Sequence, residues 1–205
     1  MKKINLPVAL FWIYVAEFVV LGISPASRQV WFAENLPIVL IVAALASTYR
    51  SFRFSDTSYV MMSVLVYMHT IGGHYTFELV PFGFVTDLFG FSRNHYDRIA
   101  HFSVGFYAYP LAEYLYRKGL TKSKGLLAFT GITAIFTVAA VYEIIEWLYA
   151  VTSDPAAGIA FLGSQGDIWD AQKDMLADGL GSICASLLFL RRYKFDGRAE
   201  AKTGK

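Results

Sequence analysis

Asn94-His95-Tyr96-Asp97-Arg98-Ile99-Ala100-His101-Phe102 sets four ionisable side chains, His95, Asp97, Arg98 and His101, at the mouth of a run that is otherwise apolar. A helix of this kind is stable in a bilayer only if neighbouring helices bring partners to the same level. The rest of the chain reads as such a set of neighbours. Of its 205 residues 56% are hydrophobic and 17% charged, with a mean hydropathy of +0.44. That is too apolar for a soluble domain and too short for two membrane modules. We therefore expect one all-α, polytopic membrane domain over residues 1–194.

Apolar periodicity and its interruptions predict six transmembrane helices in one bundle, at about 6–23, 31–49, 57–71, 97–116, 126–149 and 170–190. A polar cytoplasmic tail, 195–205, follows and is expected to be disordered. The first run is near a full span, so it reads as a helix rather than a cleaved secretory leader. Glu17 within it reads as a hydrogen-bonded packing group, with a cavity-lining acid as the alternative. Gly72 and Gly73 are expected to break the third helix. The 73–96 connection, rich in Phe, suits a lid or a segment lying in the interface, and Gly163-Ser164-Gln165-Gly166 reads as a flexible loop rather than a nucleophile turn.

Orientation follows from the basic residues. With N and C termini cytoplasmic, the inner segments carry Lys2, Lys3, Arg50, Arg53, Arg117, Lys118, Lys122, Lys124, Arg191, Arg192, Lys194, Arg198, Lys202 and Lys205, against Arg28, Arg93, Arg98 and Lys173 outside. The basic residues form no exposed patch interleaved with aromatics, so nucleic acid is not an expected partner. Cys184 is the one cysteine and lies in the last apolar run, which excludes an internal disulfide and a Cys-rich metal site.

Under this topology the four histidines gather at the outer ends of the third and fourth spans or between them. Glu143 and Glu146 lie near the outer end of the fifth, and Asp170, Asp174 and Asp178 open the sixth. Asp97 and His101 are i, i+4, Glu143 and Glu146 are i, i+3, and the three aspartates make one stripe descending about 12 Å. Seven acids, Asp97, Glu143, Glu146, Asp167, Asp170, Asp174 and Asp178, then face Arg98 and Lys173 as the fixed local cations. So many carboxylates cannot all stay ionised in a low dielectric; protons, imidazolium or a metal ion must balance them.

The functional reading is an outward-facing metal or acid/base centre. His69, His74, His101 and Asp174 are the expected ligands of a divalent ion (Zn, Mn or Fe), with Asp97 orienting them. Asp97, Glu143, Glu146 and Asp178 are the candidate catalytic carboxyls, and His95, Arg98, Asp167, Asp170 and Lys173 are expected to be structural or substrate-facing. The same residues also fit interhelical polar contacts, with Arg98 pairing Asp174 or Glu146, or a proton or cation pathway. Gly179 and Gly181 should let the last helix approach its neighbours closely. Glu113, about 24 Å of helix rise from Asp97, belongs to another level and reads as structural.

Four motifs together, His69-Thr70-Ile71-Gly72-Gly73-His74-Tyr75, His95-Tyr96-Asp97-Arg98-Ile99-Ala100-His101-Phe102, Glu143-Ile144-Ile145-Glu146 and Gln165-Gly166-Asp167-Ile168-Trp169-Asp170-Ala171-Gln172-Lys173-Asp174-Met175, resemble the YjdF-like family of bacterial inner-membrane proteins over nearly the whole chain. The resemblance implies a multi-span inner-membrane protein and brings no assigned reaction with it. A remoter resemblance is to VanZ-like membrane proteins, associated with glycopeptide resistance. Their Asp-Lys-x-x-His-Phe, Glu-x-x-Gln and Asp-x-x-x-Asn-x-x-Gly are similar to Asp97-Arg98-x-x-His101-Phe102, Glu143-x-x-Glu146 and Asp174-x-x-x-Asp178-x-x-Gly181. Arg98, Glu146 and Asp178 depart from that pattern, and the last two add acid, which favours a cation here. The expected function is metal-assisted hydrolysis or transfer on an envelope lipid or lipid-linked precursor. The alternatives are a proton- or cation-linked small-solute transporter and a non-catalytic structural or regulatory protein.

Overall fold

The computed structural model describes residues 5–195, and every regular element among them is helical. Lys2, Lys3, Arg198, Lys202, Lys205 and the tail from residue 196 lie outside the described residues. The long helices are α1 (Leu6–Leu21), α2 (Arg28–Thr48), α3 (Asp56–Tyr75), α7 (Lys124–Thr152) and α9 (Asp170–Arg192). The predicted fourth span is a broken rod made of α5 (Tyr96–Val104), a 3-10 turn (Gly105–Tyr107) and α6 (Ala108–Arg117). Pro110 has no N–H to return to the Phe106 carbonyl, and the α-helical ladder gives way to the 3-10 turn next to that missing bond. The two long connections carry the short helices α4 (Gly83–Phe89) and α8 (Pro155–Leu162).

Helices α2 and α7 are each long and apolar enough to cross a membrane, whereas α1 is apolar but has 16 residues. Helices α3 and α9 carry polar groups of the site and do not pass that test, and α5 and α6 are too short for it. The outward surface is oily: Val20, Leu40, Phe129, Val138, Val151 and Leu187 are all exposed. Such a large apolar surface needs a nonaqueous solvent or a partner.

Helix α9 is the axis. It packs against α7, α5, the 3-10 turn and α6, while α3 carries α1 and α2 and joins them to α5. The glycines set these distances. A Cβ on Gly181 would run into the Phe102 carbonyl, and one on Gly105 into the backbone at Gly181 and Ser182. Backbone therefore touches backbone where α5 crosses α9.

Gly72 and Gly73 do not break α3, contrary to expectation. The helix continues to Tyr75 and stops at Thr76 and Phe77, both left-handed with φ of 55°. The two glycines are needed for packing instead, since a Cβ at 72 would enter the Phe77 ring and one at 73 would meet Asn35 and Glu34. Left-handed Thr and Phe are strained positions; they fold Phe77 back beneath the end of α3.

At the other end of the α5–α6 rod, Glu113 is 1% exposed and caps α3 from outside. Its carboxylate accepts from Ser55 N at 2.9 Å, Ser55 Oγ at 2.8 Å, Ser58 Oγ and Arg117 at 2.8 Å. Glu113→Ala would leave the buried Ser58 hydroxyl and the half-buried Ser55 donors without their acceptor, while Arg117 is exposed and can turn to solvent. We expect it to cost about 1–3 kcal/mol, read as a lowered thermal midpoint in detergent, with Glu113→Gln between it and the parent.

Candidate functional site

At one end of the bundle α2, α3, α5, α7, α8 and α9 enclose a cavity of about 130 Å³. Glu34, His69, Asp97, His101, Tyr142, Glu146 and Asp178 line it together with Pro37, Ile38, Ile41, Leu65, Phe77, Val104, Val138 and Ala139. The i, i+4 spacing does what it predicts: Asp97 and His101 share one face of α5, opposite the aspartate stripe of α9.

His101 is the hub. Its Nδ1 donates to Asp178 Oδ2 at 3.2 Å, which leaves Nε2 3.6 Å from Asp97 Oδ1 and 3.8 Å from Asp174 Oδ1. Donor atoms of Asp97, His101 and Asp174 all lie within 4.8 Å of one another, the spacing a single cation requires. Asp178 is 1% exposed, and its Oδ1 has no hydrogen-bond partner among the described residues. A buried, unpartnered carboxylate oxygen facing a cavity calls for a ligand, a proton or water.

Above this level is a second layer. Arg98 binds the carboxylates of Asp170 and Asp174 and donates to the Asp170 carbonyl at 3.1 Å. Arg93 reaches Asp170 Oδ1 at 2.6 Å and Asp167 Oδ2 at 3.5 Å, and Lys173 Nζ donates to Asp167 at 2.6 Å. Asp167 lies outside the helices; the Lys173 ammonium and then the Trp169 N–H hold its carboxyl below the ordinary value of 3.8. Burial, followed by Arg93, Arg98 and Lys173, pushes the His95 imidazole down, and that ring packs on Phe91 rather than entering the cavity.

This layer also fixes the loops. Asn94 N donates to Gln165 Oε1 at 2.9 Å and Gln165 Nε2 to Asn94 O at 3.0 Å, while Arg93 donates to the Ser164 carbonyl. The Gly163–Gly166 turn, expected to be flexible, is pinned over the site, with Gln165 in a left-handed conformation at φ 50°.

Two histidines are not where the expected ligand set needs them. His74 donates from Nδ1 to the Leu21 carbonyl at 2.6 Å and packs edge-on against Trp31 and Tyr75, tying α3 to the end of α1. His69 does line the cavity, but its Nε2 is 2.9 Å from Glu34 Oε2, which also accepts from Tyr142 Oη at 2.8 Å. Glu34, Tyr142 and Arg93 are site residues that no motif in the sequence singles out. Asp178, grouped with the catalytic carboxyls, is the group bonded to His101 Nδ1, while Asp97, taken as an orienter, faces Nε2. Glu146 lines the cavity, and Glu143 Oε1 is buried with no hydrogen-bond partner among the described residues.

Glu17 is half-buried on α1, outside the residues that line the cavity. Towards the Glu113 end the bundle is filled by Ala108, Tyr109, Leu127, Ile135, Ala185 and Phe189, so apolar packing lies between the cavity and Glu113.

No solved structure matches the chain. Over 174 residues it is 33% identical to the inner membrane protein YjdF of Escherichia coli (strain K12), which takes in 84% of this chain and 82% of that one. Residues 6–195 match the family described as "Predicted membrane protein (DUF2238)". On both grounds the chain belongs to that family of membrane proteins.

Proposed function

We propose that this is a six-span protein of the bacterial inner membrane, with both termini cytoplasmic and the cavity open to the outer side. In this reading Asp97, His101 Nε2 and Asp174 hold a divalent cation that serves hydrolysis or transfer on an envelope lipid or lipid-linked precursor. The observation that carries it is the three-residue donor set within 4.8 Å, backed by Asp178 on the far nitrogen of the same imidazole. A carboxylate on Nδ1 fixes the tautomer that offers Nε2 to a metal.

Two carboxylates and one imidazole suit Zn, Mn or Fe(II). Bound there, such an ion would supply Lewis acidity toward a phosphoryl or carbonyl oxygen and a more acidic water. The chain's own groups do the rest. Glu146 lines the cavity and can take a proton; Arg98 and Arg93 neutralise Asp170 and orient Asp174, and Gln165 with Asn94 covers the outer face. The apolar packing between the cavity and Glu113 favours a site open on one side over a transmembrane path.

The test is elemental analysis of detergent-purified protein from cells grown with added zinc, manganese or iron. About one equivalent per chain is expected, lost in His101→Ala and Asp174→Ala with size-exclusion behaviour unchanged. Metal-free wild-type protein from all three media would end the reading.

A further inference from the structure

Helices α2 and α7, which form two walls of the cavity, barely meet: α2 packs on α3 and touches α8, and α7 packs on α9, α6 and α8. The polar link across their seam is the bond from Tyr142 Oη to Glu34 Oε2. Below it, Ile38 and Ile41 of α2 face the cavity together with Val138 and Ala139 of α7. Val138 is 56% exposed although it lines the cavity, so the cavity reaches the outer surface of the bundle there.

The two helices run in opposite directions, yet each places its acid, Glu34 or Glu146, at one end of the cavity and its aliphatic residues at the other. From Glu34 to Ile41 that descent is about 10 Å. This is the polarity of one lipid in a leaflet, head group above and chain below. The volume of about 130 Å³ corresponds to roughly four waters, enough for a fragment of a head group and far too small for an acyl chain. A lipid can use the site only if its chain stays in the seam.

We propose that the α2–α7 seam is a lateral door to the bilayer, latched by Tyr142 on Glu34, and that its occupant is a membrane lipid whose head group reaches the His101 level while its chain lies along Ile38, Ile41 and Val138. The proposal rests on the outward cavity described above but needs no cation. Metal-free protein would leave the door standing, and a failed labelling experiment would leave the cation site standing.

The test uses Ile38→Cys in a Cys184→Ser chain reconstituted in phosphatidylglycerol and phosphatidylethanolamine vesicles. Ile38 is 2% exposed and lines the cavity, so its thiol reacts faster as the door opens wider. Two reagents are compared: N-benzylmaleimide, which partitions into the bilayer, and an impermeant trimethylammonium thiosulfonate, whose positive charge the acidic cavity would attract if it could enter from water. With each rate divided by the same reagent's rate on the detergent-unfolded chain, we expect the lipophilic reagent to label faster, and Tyr142→Phe, which loses one hydrogen bond to the Glu34 carboxyl, to speed it about tenfold. Glu34→Gln, which keeps the shape of the acceptor, should speed it in the same direction. Equal or faster labelling by the cationic reagent would mean a watery mouth and overturn the door. Unchanged rates in both latch variants would overturn the latch.

Discussion

Arg98→Met is expected to cost about 3–5 kcal/mol, much of the stability of an ordinary domain. The guanidinium lies between the carboxylates of Asp170 and Asp174, whose side chains are 10% and 5% exposed. Removing it leaves Asp174 with His101 alone for positive charge among the described residues, since Arg93 reaches Asp170 and Asp167 only. A buried charge that loses its partner costs more than the pair was worth, because the survivor keeps its full desolvation penalty. Arg98→Lys, the residue found in the VanZ-like motif, keeps the charge but not the planar fork, and should fall between. Thermal midpoints and denaturant titrations in detergent would measure this. A loss under about 1 kcal/mol for the methionine variant would mean that the arginine–aspartate layer is solvated rather than buried.

Gly181→Ala should be as damaging through shape alone. The added methyl meets the Phe102 carbonyl, which is backbone and cannot rotate away, so α9 and α5 must separate. Overpacking of this kind costs about 1–3 kcal/mol and sometimes more; with backbone on both sides the upper end applies. The shift also moves Asp178 away from His101, so any metal content should fall with stability. Gly179→Ala is the control. There the methyl meets the far end of the Phe136 ring, a partly exposed side chain of α7 that can turn aside. If the two variants unfold alike, close crossing at Gly181 is not what seats the aspartate stripe.

These residues also show where a sequence can and cannot be read. Asp97 and His101, and the stripe Asp170, Asp174 and Asp178, are legible because helical spacing is local and their partners have to lie within one turn. The family is legible in four short motifs. His69 and His74 do not make a ligand pair: five residues on a helix are about 140° apart, so the spacing itself denies them a common point. Glu34 escapes notice for another reason. It is one acid in an apolar helix, and Tyr142, 108 positions away, bears on it only after folding. Arg93 counts in the sequence as a charge for orientation, and nothing local says that it reaches Asp170. Gly72 and Gly73 mislead because a glycine marks either a break or a close approach, and the choice lies with Phe77, Asn35 and Glu34.

Because α9 comes after α5 in the chain, biosynthesis imposes an order on this architecture. As the ribosome releases the earlier segments, Arg93, Arg98 and His101 enter the membrane before the aspartates that neutralise them exist. The half-built bundle must shelter those side chains in lipid head groups, water or an insertase until Asp170, Asp174 and Asp178 arrive. The insertion of α9 is thus also the event that closes the polar layer, and a chain truncated before it would present unmatched cations to the quality-control proteases.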